Sequence, residues 1–460
     1  MALKPSLPKG TRDFLPKTML IREYILDNMR NVFKKYGFLP IETPAMENAS
    51  TLTGKYGEEG DRLIFKIMPR GEKAKVDSDK IKAKEALRYD LTVPFARFVV
   101  QNQNEIGFPF KRYQIQPVWR AEAPQRGRFR EFYQCDADAI GSDSLLLELD
   151  FIQIYREVFE TLNLKVQIKI NNRKLLAGFA EVFGIQDRLT DFTICLDKLD
   201  KIGEEGVVEE MKQKGFEEKA LQGFRQIASL KGMEPIFTSS LTTSKIASLK
   251  GSNAEILKQI IPILQNSEIG RKGIDELNFL IQNIDENCPL SLDLTLARGL
   301  DYYTGAIFEV VSEEVKMGSI GGGGRYDDLT SIFGLKNVSG IGISFGLDRI
   351  QLVLEELDRL PKFENQSTQI LFFNFGEELA LESFKWVKAL RAQGIKADIY
   401  PDVAKFKKQI AYASNRGVSF IALIEKMPED GADTLQIRNM QSREEEFLNL
   451  EQLIAKLNNN

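Results

Sequence analysis

The 460-residue chain contains no histidine. A chain of this length and average composition would hold on the order of ten. Histidine is the side chain that titrates near neutrality, so the commonest general base, pH switch and nitrogen metal ligand are all excluded. Cysteine is scarce: Cys135, Cys195 and Cys288 lie far apart and form no CxxC pair. They read as reduced, packed thiols, and without histidine beside them no zinc site is expected. No apolar run approaches the roughly 20 residues that span a bilayer. The N-terminal stretch MALKPSLPKGTRDFLP has no apolar signal core, so a cytoplasmic location with no membrane contact is expected. Neither sign of charge dominates, the formal net charge being −4. Catalysis in such a chain must use carboxylates, arginine, lysine, tyrosine, backbone amides, bound Mg²⁺ or the substrate itself.

What is present suits two or three domains with sizeable cores. Leu20, Ile21, Tyr24, Ile25, Met29, Val32 and Phe33 recur at helical spacing, and Gly37 is a plausible stop. Phe108 to Ile140 reads as a strand, a charged turn and a second strand. Residues 185–290 change character: they are rich in Glu, Lys, Gln and Ala with helically spaced apolar residues, which predicts a helical module. It divides two blocks of mixed helix and sheet, 1–184 and 291–360. The polar stretch 361–368 reads as a linker, and 369–460 alternates strand and helix as a compact, mostly parallel α/β domain does.

Arginine is concentrated in one place. Arg112, Arg120, Arg126, Arg128 and Arg130 fall within residues 111–138, in a chain that is slightly acidic overall. The planar guanidinium suits phosphate, although a solvated, salt-bridged hairpin would look similar. Arg120 follows Val118 and Trp119, which places it near the core, and Phe132 lies close enough to stack on a planar ring. Gln134, Asp136 and Asp138 alternate on the return strand, so all point to one face. That face is expensive to bury without a ligand or partner. Arg88, Asp90 and Thr92 also alternate, which predicts one strand face; Asp90 and Thr92 either hold an ammonium group or cap the following helix. The glycine run in SIGGGGRYDDL lacks the GK[ST] ending of a phosphate loop and instead allows close approach, with Tyr326 beside it. In TLARGLDYYTGAIFEV, residues 295–310, Arg298 interrupts what reads as a buried strand.

Together these segments resemble the class II aminoacyl-tRNA synthetases, and within them the histidyl-tRNA synthetase family. KGTRDFLP is typical of the family, FLPIETPAMENASTL is similar to motif 1, VWRAEAPQRGRFREFYQCDADAIG to motif 2 and GIGISFGLDRI to motif 3. LARGLDYYTGAIFEV and GGGGRYDDL resemble the segments that set this family apart. The resemblance implies an α/β (α+β) catalytic core, an antiparallel sheet flanked by helices, interrupted by the helical insertion and followed by an anticodon-binding domain. It implies activation of L-histidine with ATP and Mg²⁺, transfer to histidine tRNA, and a homodimer. Arg120 would contact the ATP α-phosphate, Glu122 the adenine side and Arg128 the outer phosphates. Phe132 and Arg349 would sandwich adenine. Asp90, Thr92 and Gln134 would hold the α-amino group. Asp138 and Tyr303 would meet the imidazole nitrogens, with Tyr302 beside them and Tyr326 closing the pocket. Arg298 would lie between the substrate carboxylate and the α-phosphate, and Gln125 and Arg126 would reach toward the tRNA acceptor end. Ala123 and Tyr133 depart from the commoner bacterial pattern, and LRYDLTVPFAR is closer to the eukaryotic and archaeal version. The regulatory subunit of ATP phosphoribosyltransferase shares this core, but usually lacks both the C-terminal domain and the arginine at the place of Arg298.

Overall fold

Ile21, Ile25, Met29, Val32 and Phe33 turn one buried face of the first helix, Pro16–Lys35, toward the core. Pro16 suits its first turn, and Gly37, at φ 79°, reverses the chain after it. In this computed structural model, residues 4–69, 83–231, 243–285, 287–297, 302–361, 368–424 and 434–458 are described. They form two compact units, Met1–Leu360 and Pro361–Asn460.

The strands of the first unit are β1 (Leu39–Pro40), β2 (Met46–Asn48), β3 (Lys66–Ile67), β4 (Glu85–Leu87), β5 (Phe110–Trp119), β6 (Glu131–Ile140), β7 (Val166–Asn172), β8 (Leu290–Leu292), β9 (Ala306–Ser312), β10 (Gly321–Tyr326) and β11 (Gly340–Gly346). Eight of them make one sheet in the order β1-β5-β6-β11-β10-β9-β7-β8. Its centre is antiparallel, and only the outer pairs β1–β5 and β7–β8 are parallel. β2, β4 and β3 form a small separate sheet. Helices Pro16–Lys35, Leu146–Thr161 and Leu347–Glu356 cover one face of the large sheet around β6 and β11. Cys135, Ala137 and Ala139 of β6 are buried, and Phe33 packs beside Tyr113 and Phe345. The intervening residues of β6 point to the opposite face. That leaves Gln134, Asp136 and Asp138 on a side where the packing is polar.

Between β7 and β8 the described residues form the helices Arg173–Phe183, Leu189–Leu196, Leu199–Gln213, Glu218–Lys231, Thr243–Leu264 and Glu268–Asn283. Gly178 meets Gly270 so closely that a Cβ on Gly178 would lie 2.5 Å from the Gly270 Cα, which lets the first and last of these helices touch backbone to backbone.

Two local expectations differ from the fold. Arg88, Asp90 and Thr92 do not share a strand face: β4 ends at Leu87, and Thr92 opens the helix Thr92–Gln101. Asp90 accepts the Val93 amide at 3.2 Å, so the polar alternation marks a helix start. The strand read through 295–310 begins only at Ala306. Asp293 Oδ1 accepts both the amide and the hydroxyl of Thr295, at 3.0 and 2.6 Å, which bends the chain before it can extend. Arg298 lies outside the described residues, as do 362–367 of the expected linker.

In the second unit β12 (Ile370–Phe372), β13 (Ala397–Ile399) and β14 (Phe420–Leu423) are parallel, in the order β13-β12-β14. β15 (Thr434–Asn439) and β16 (Glu445–Asn449) continue the sheet antiparallel. Helices Glu377–Ala392, Phe406–Asn415 and Leu450–Asn458 complete it. Among the described residues no helix is long and apolar enough to cross a membrane.

Candidate active site

β5 and β6 pair in a register that sets Arg112 opposite Asp138, Gln114 opposite Asp136 and Gln116 opposite Gln134. β11 lies on the other side of β6, with Gly342 opposite Asp138 and Ser344 opposite Asp136. Above these strands lie two adjoining cavities. The larger, about 410 Å³, takes Arg120, Glu122, Arg128, Phe132 and Arg349 into its wall. The smaller, about 50 Å³, is lined by Asp90, Thr92, Asp138, Tyr302 and Tyr326. Gln134, Tyr303, Gly322, Gly323 and Ser344 line both, so the two spaces meet there.

Two of the arginines that ring the large cavity, Arg120 and Arg349, are held in place by backbone carbonyls. Arg120, just past the end of β5, donates from Nε to the Tyr89 carbonyl at 3.2 Å. Its guanidinium lies 4.3 Å from the Tyr89 ring centre and 5.2 Å from that of Phe132. Arg349, in the first turn of its helix, donates to the carbonyls of Gly127 at 3.0 Å and Ser319 at 2.5 Å. Those bonds tie it across the cavity mouth, where it would otherwise oppose the helix dipole. Arg128 is exposed and 3.4 Å from Glu122. Gln125 and Arg128 close a tight turn through reciprocal backbone bonds, and Arg126 pairs with Glu356 on the surface. Gln125 and Arg126 line neither cavity.

The small cavity is acidic and phenolic. Asp90 Oδ1 accepts from the Tyr56 hydroxyl at 2.8 Å, and Tyr302 donates to Oδ2 at 3.4 Å. Burial pushes the Asp90 carboxyl above its usual value, while these bonds, the Val93 amide and the charge of Arg120 pull it back. Asp138 accepts from the Tyr326 hydroxyl at 2.7 Å and is ion-paired with Arg112 at 2.8 Å. Burial, then the nearby carboxylates Asp138, Asp136 and Asp90, push the Tyr303 hydroxyl up, so it stays protonated.

The glycines are explained by clearance. A Cβ on Gly324 would lie 2.9 Å from the Tyr303 ring and 2.6 Å from the Ala306 carbonyl oxygen. On Gly342 it would lie 2.1 Å from Asp138 Oδ1. The run in β10 therefore makes room for site side chains and a neighbouring strand.

Tyr56, Gln114 and Ser344 belong to the site but had not been singled out from the sequence. Tyr56 carried no local signal. The alternation Arg112, Gln114, Gln116 in KRYQIQ mirrors that of the return strand, and was the clue for Gln114.

Residues 10–350 match the family model for histidyl-tRNA synthetase, and residues 369–460 match that for an anticodon binding domain. The histidine–tRNA ligase of Christiangramia forsetii is 56% identical, over 99% of this chain and 100% of its own. That of Flavobacterium johnsoniae is 49% identical, over 98% and 99%. A crystal structure of histidyl-tRNA synthetase from Nostoc sp. PCC 7120 superposes with TM-score 0.79 at 29% identity and covers 100% of both chains. An ATP phosphoribosyltransferase regulatory subunit/histidyl-tRNA synthetase from Bacillus halodurans, at 20% identity and TM-score 0.68, shares the fold over 90% of this chain.

Proposed function

The chain belongs to the histidyl-tRNA synthetase family, and from that we propose how its two cavities divide the ligation of histidine to tRNA. It is an aminoacyl-tRNA synthetase: L-histidine and ATP give histidyl-adenylate and pyrophosphate, and histidine then passes to the 3′-terminal ribose of histidine tRNA. The observation that carries the division is the shared wall of Gln134, Tyr303, Gly322, Gly323 and Ser344 between an arginine-ringed space and an acidic, phenolic one.

ATP occupies the larger cavity. Phe132 and Arg349 take the two faces of adenine, Glu122 its edge, Arg128 the outer phosphates and Arg120 the α-phosphate. Histidine occupies the smaller. Asp90, Thr92 and Gln134 hold its α-ammonium group, Asp138 and Tyr303 its two ring nitrogens, and Tyr326 closes the pocket. The histidine carboxylate attacks the α-phosphorus in line as pyrophosphate leaves. Negative charge grows on the α-phosphoryl oxygens, where Arg120 and Arg298 are suited to stabilise it. Magnesium arrives with ATP. Among the described residues no cluster of three or more His, Cys, Asp or Glu would hold an ion unaided, so no step is assigned to it. A site built on paired polar contacts rejects analogues lacking them by about 10⁴-fold, because its own groups stay unpaired.

Gly342→Ala tests the histidine pocket. The added methyl meets Asp138, so the KM for histidine should rise by about tenfold, roughly one buried hydrogen bond. The KM for ATP should hardly change. An unaltered histidine KM would remove Asp138 from this role.

The 52.2 kDa chain is assigned as a homodimer through its motif 1 segment, where Leu39 and Met46 are exposed apolar side chains. Light scattering behind a sizing column should give twice the chain mass; the chain mass alone contradicts this. Residues 369–460 are assigned to the tRNA anticodon. Lys405, Lys407 and Lys408 are exposed around the start of the helix Phe406–Asn415. Reversing Lys405 and Lys407 to Glu should weaken tRNA binding by about tenfold or more at moderate salt. Pyrophosphate exchange should be untouched. Unchanged tRNA affinity would take these lysines out of the interface.

A further inference from the structure

Arg112, Gln114, Asp136 and Asp138, which form the polar ladder beneath the small cavity, are all more than nine-tenths buried. Asp136 and Asp138 are two residues apart on one strand face. A single guanidinium, Arg112, is ion-paired in that ladder, and two carboxylates so placed cannot both ionise cheaply.

Geometry says which one carries the charge. Arg112 Nη2 lies 2.8 Å from Asp138 Oδ2, and the Tyr326 hydroxyl donates to Oδ1. Asp138 Oδ2, Asp136 Oδ1 and Gln114 Oε1 on the residue opposite all lack a hydrogen-bond donor, but Asp138 Oδ2 has the Arg112 charge beside it and Asp136 Oδ1 has no ion-pair partner. Neighbouring strands thus bury two acceptors with no donor between them, and a proton on Asp136 would supply one. Burial first, and then Asp138, push Asp136 up to about 7 against the pull of Arg112 and of the Ser344 hydroxyl. Burial pushes Asp138 up as well, but Arg112 and the Tyr326 hydroxyl both pull it back. The other charged groups whose fields reach it are Asp90 and Arg88, while burial keeps the Tyr303 and Tyr155 hydroxyls neutral. Below about pH 7 the ladder thus sums to zero: Arg112 positive, Asp138 negative, Asp136 protonated.

We propose that Arg112 and Asp136 are specificity-determining residues that keep the side-chain pocket free of net charge. The pocket therefore takes histidine as neutral imidazole and refuses the imidazolium form and the cationic side chains of lysine and arginine. Neutral imidazole has one donor for Asp138 and one acceptor for the Tyr303 hydroxyl. A cationic side chain entering the same space loses its water and finds Asp138 already paired with Arg112 and Asp90 already taken by the α-ammonium group. Arg112 acts through Asp138 and is a positioning residue; Asp136 lines the pocket. This rests on the histidine ligase function above.

The test is the KM for histidine in pyrophosphate exchange across pH, spanning the imidazole pKa of about 6.5. In the parent protein KM should be lowest just above that pKa, before Asp136 ionises, and rise by up to about tenfold per pH unit below it. Arg112→Met leaves Asp138 uncompensated, so its KM minimum should move to acid by about one pH unit or more, with kcat moving less. Arg112→Lys should restore the parent profile. Asp136→Asn, fixed in the neutral form, should keep the acid limb. A parent KM that falls toward acid pH overturns the assignment, as does an Arg112→Met profile that superposes on the parent's. If Arg112→Met does not fold, an acid-shifted minimum in Asp136→Asn overturns it instead. Absence of histidine-dependent exchange in the parent at every pH would overturn the ligase function, and this assignment with it.

Discussion

Arg120→Ala is expected to lower histidine-dependent pyrophosphate exchange by at least about a hundredfold, roughly 3 kcal/mol of transition-state stabilisation. Arg120 stands at the end of β5, fastened to the Tyr89 carbonyl and lying over the Tyr89 ring. A cation held in place before the reaction costs no reorganisation when charge develops on the α-phosphoryl group. Its side chain borders a cavity and is not sealed in the core, so the variant should fold and its KM for histidine should change little. Arg298→Ala is expected to behave alike by the family resemblance: histidine still bound, adenylate not formed. A hundredfold fall in kcat with a native unfolding curve supports the role. Exchange within a few-fold of the parent, or an unfolded protein, contradicts it.

Glu148→Ala is the second large effect, and it falls on stability. Arg325 follows the glycine run in β10 and is buried with Glu148 in a bidentate pair, Nε–Oε1 at 2.5 Å and Nη2–Oε2 at 2.6 Å. Its remaining hydrogens go to the carbonyls of Ser142 and Ser144 and to the Ser339 hydroxyl. Removing the carboxylate strands a buried cation that cannot neutralise itself, which costs about 3–5 kcal/mol. Burial pushes Glu148 up and the Arg325 bonds pull it back. The loss should appear as a lower midpoint in urea at unchanged slope. Tyr326 is the next residue, so histidine binding should weaken before global unfolding. A midpoint equal to the parent's would show the pair to be dispensable.

The parts legible in the sequence were those whose signal is local. Helical periodicity gave Pro16–Lys35, and the charged turn between two apolar strands gave the β5–β6 hairpin. Two-residue alternation placed Gln134, Asp136 and Asp138 on one face, and the structure keeps them there. The same rule misled at Arg88, Asp90 and Thr92, because a capping aspartate before a helix also produces polar alternation. The break in the strand read over 295–310 was hidden for a similar reason: one Asp293 side chain, not the apolar pattern, bends the chain. β16 went unread because Glu445 and Glu446 charge an exposed edge strand. The ladder from Arg112 to Asp138 needed more than either strand alone. Its meaning depends on register, and a slip of one residue would send every polar group to the helix-covered side.

The most direct test of the central claim is ATP–pyrophosphate exchange with each of the twenty amino acids in turn. Exchange with histidine alone is the expected result. No exchange with histidine, or exchange supported equally by another amino acid, would contradict the account.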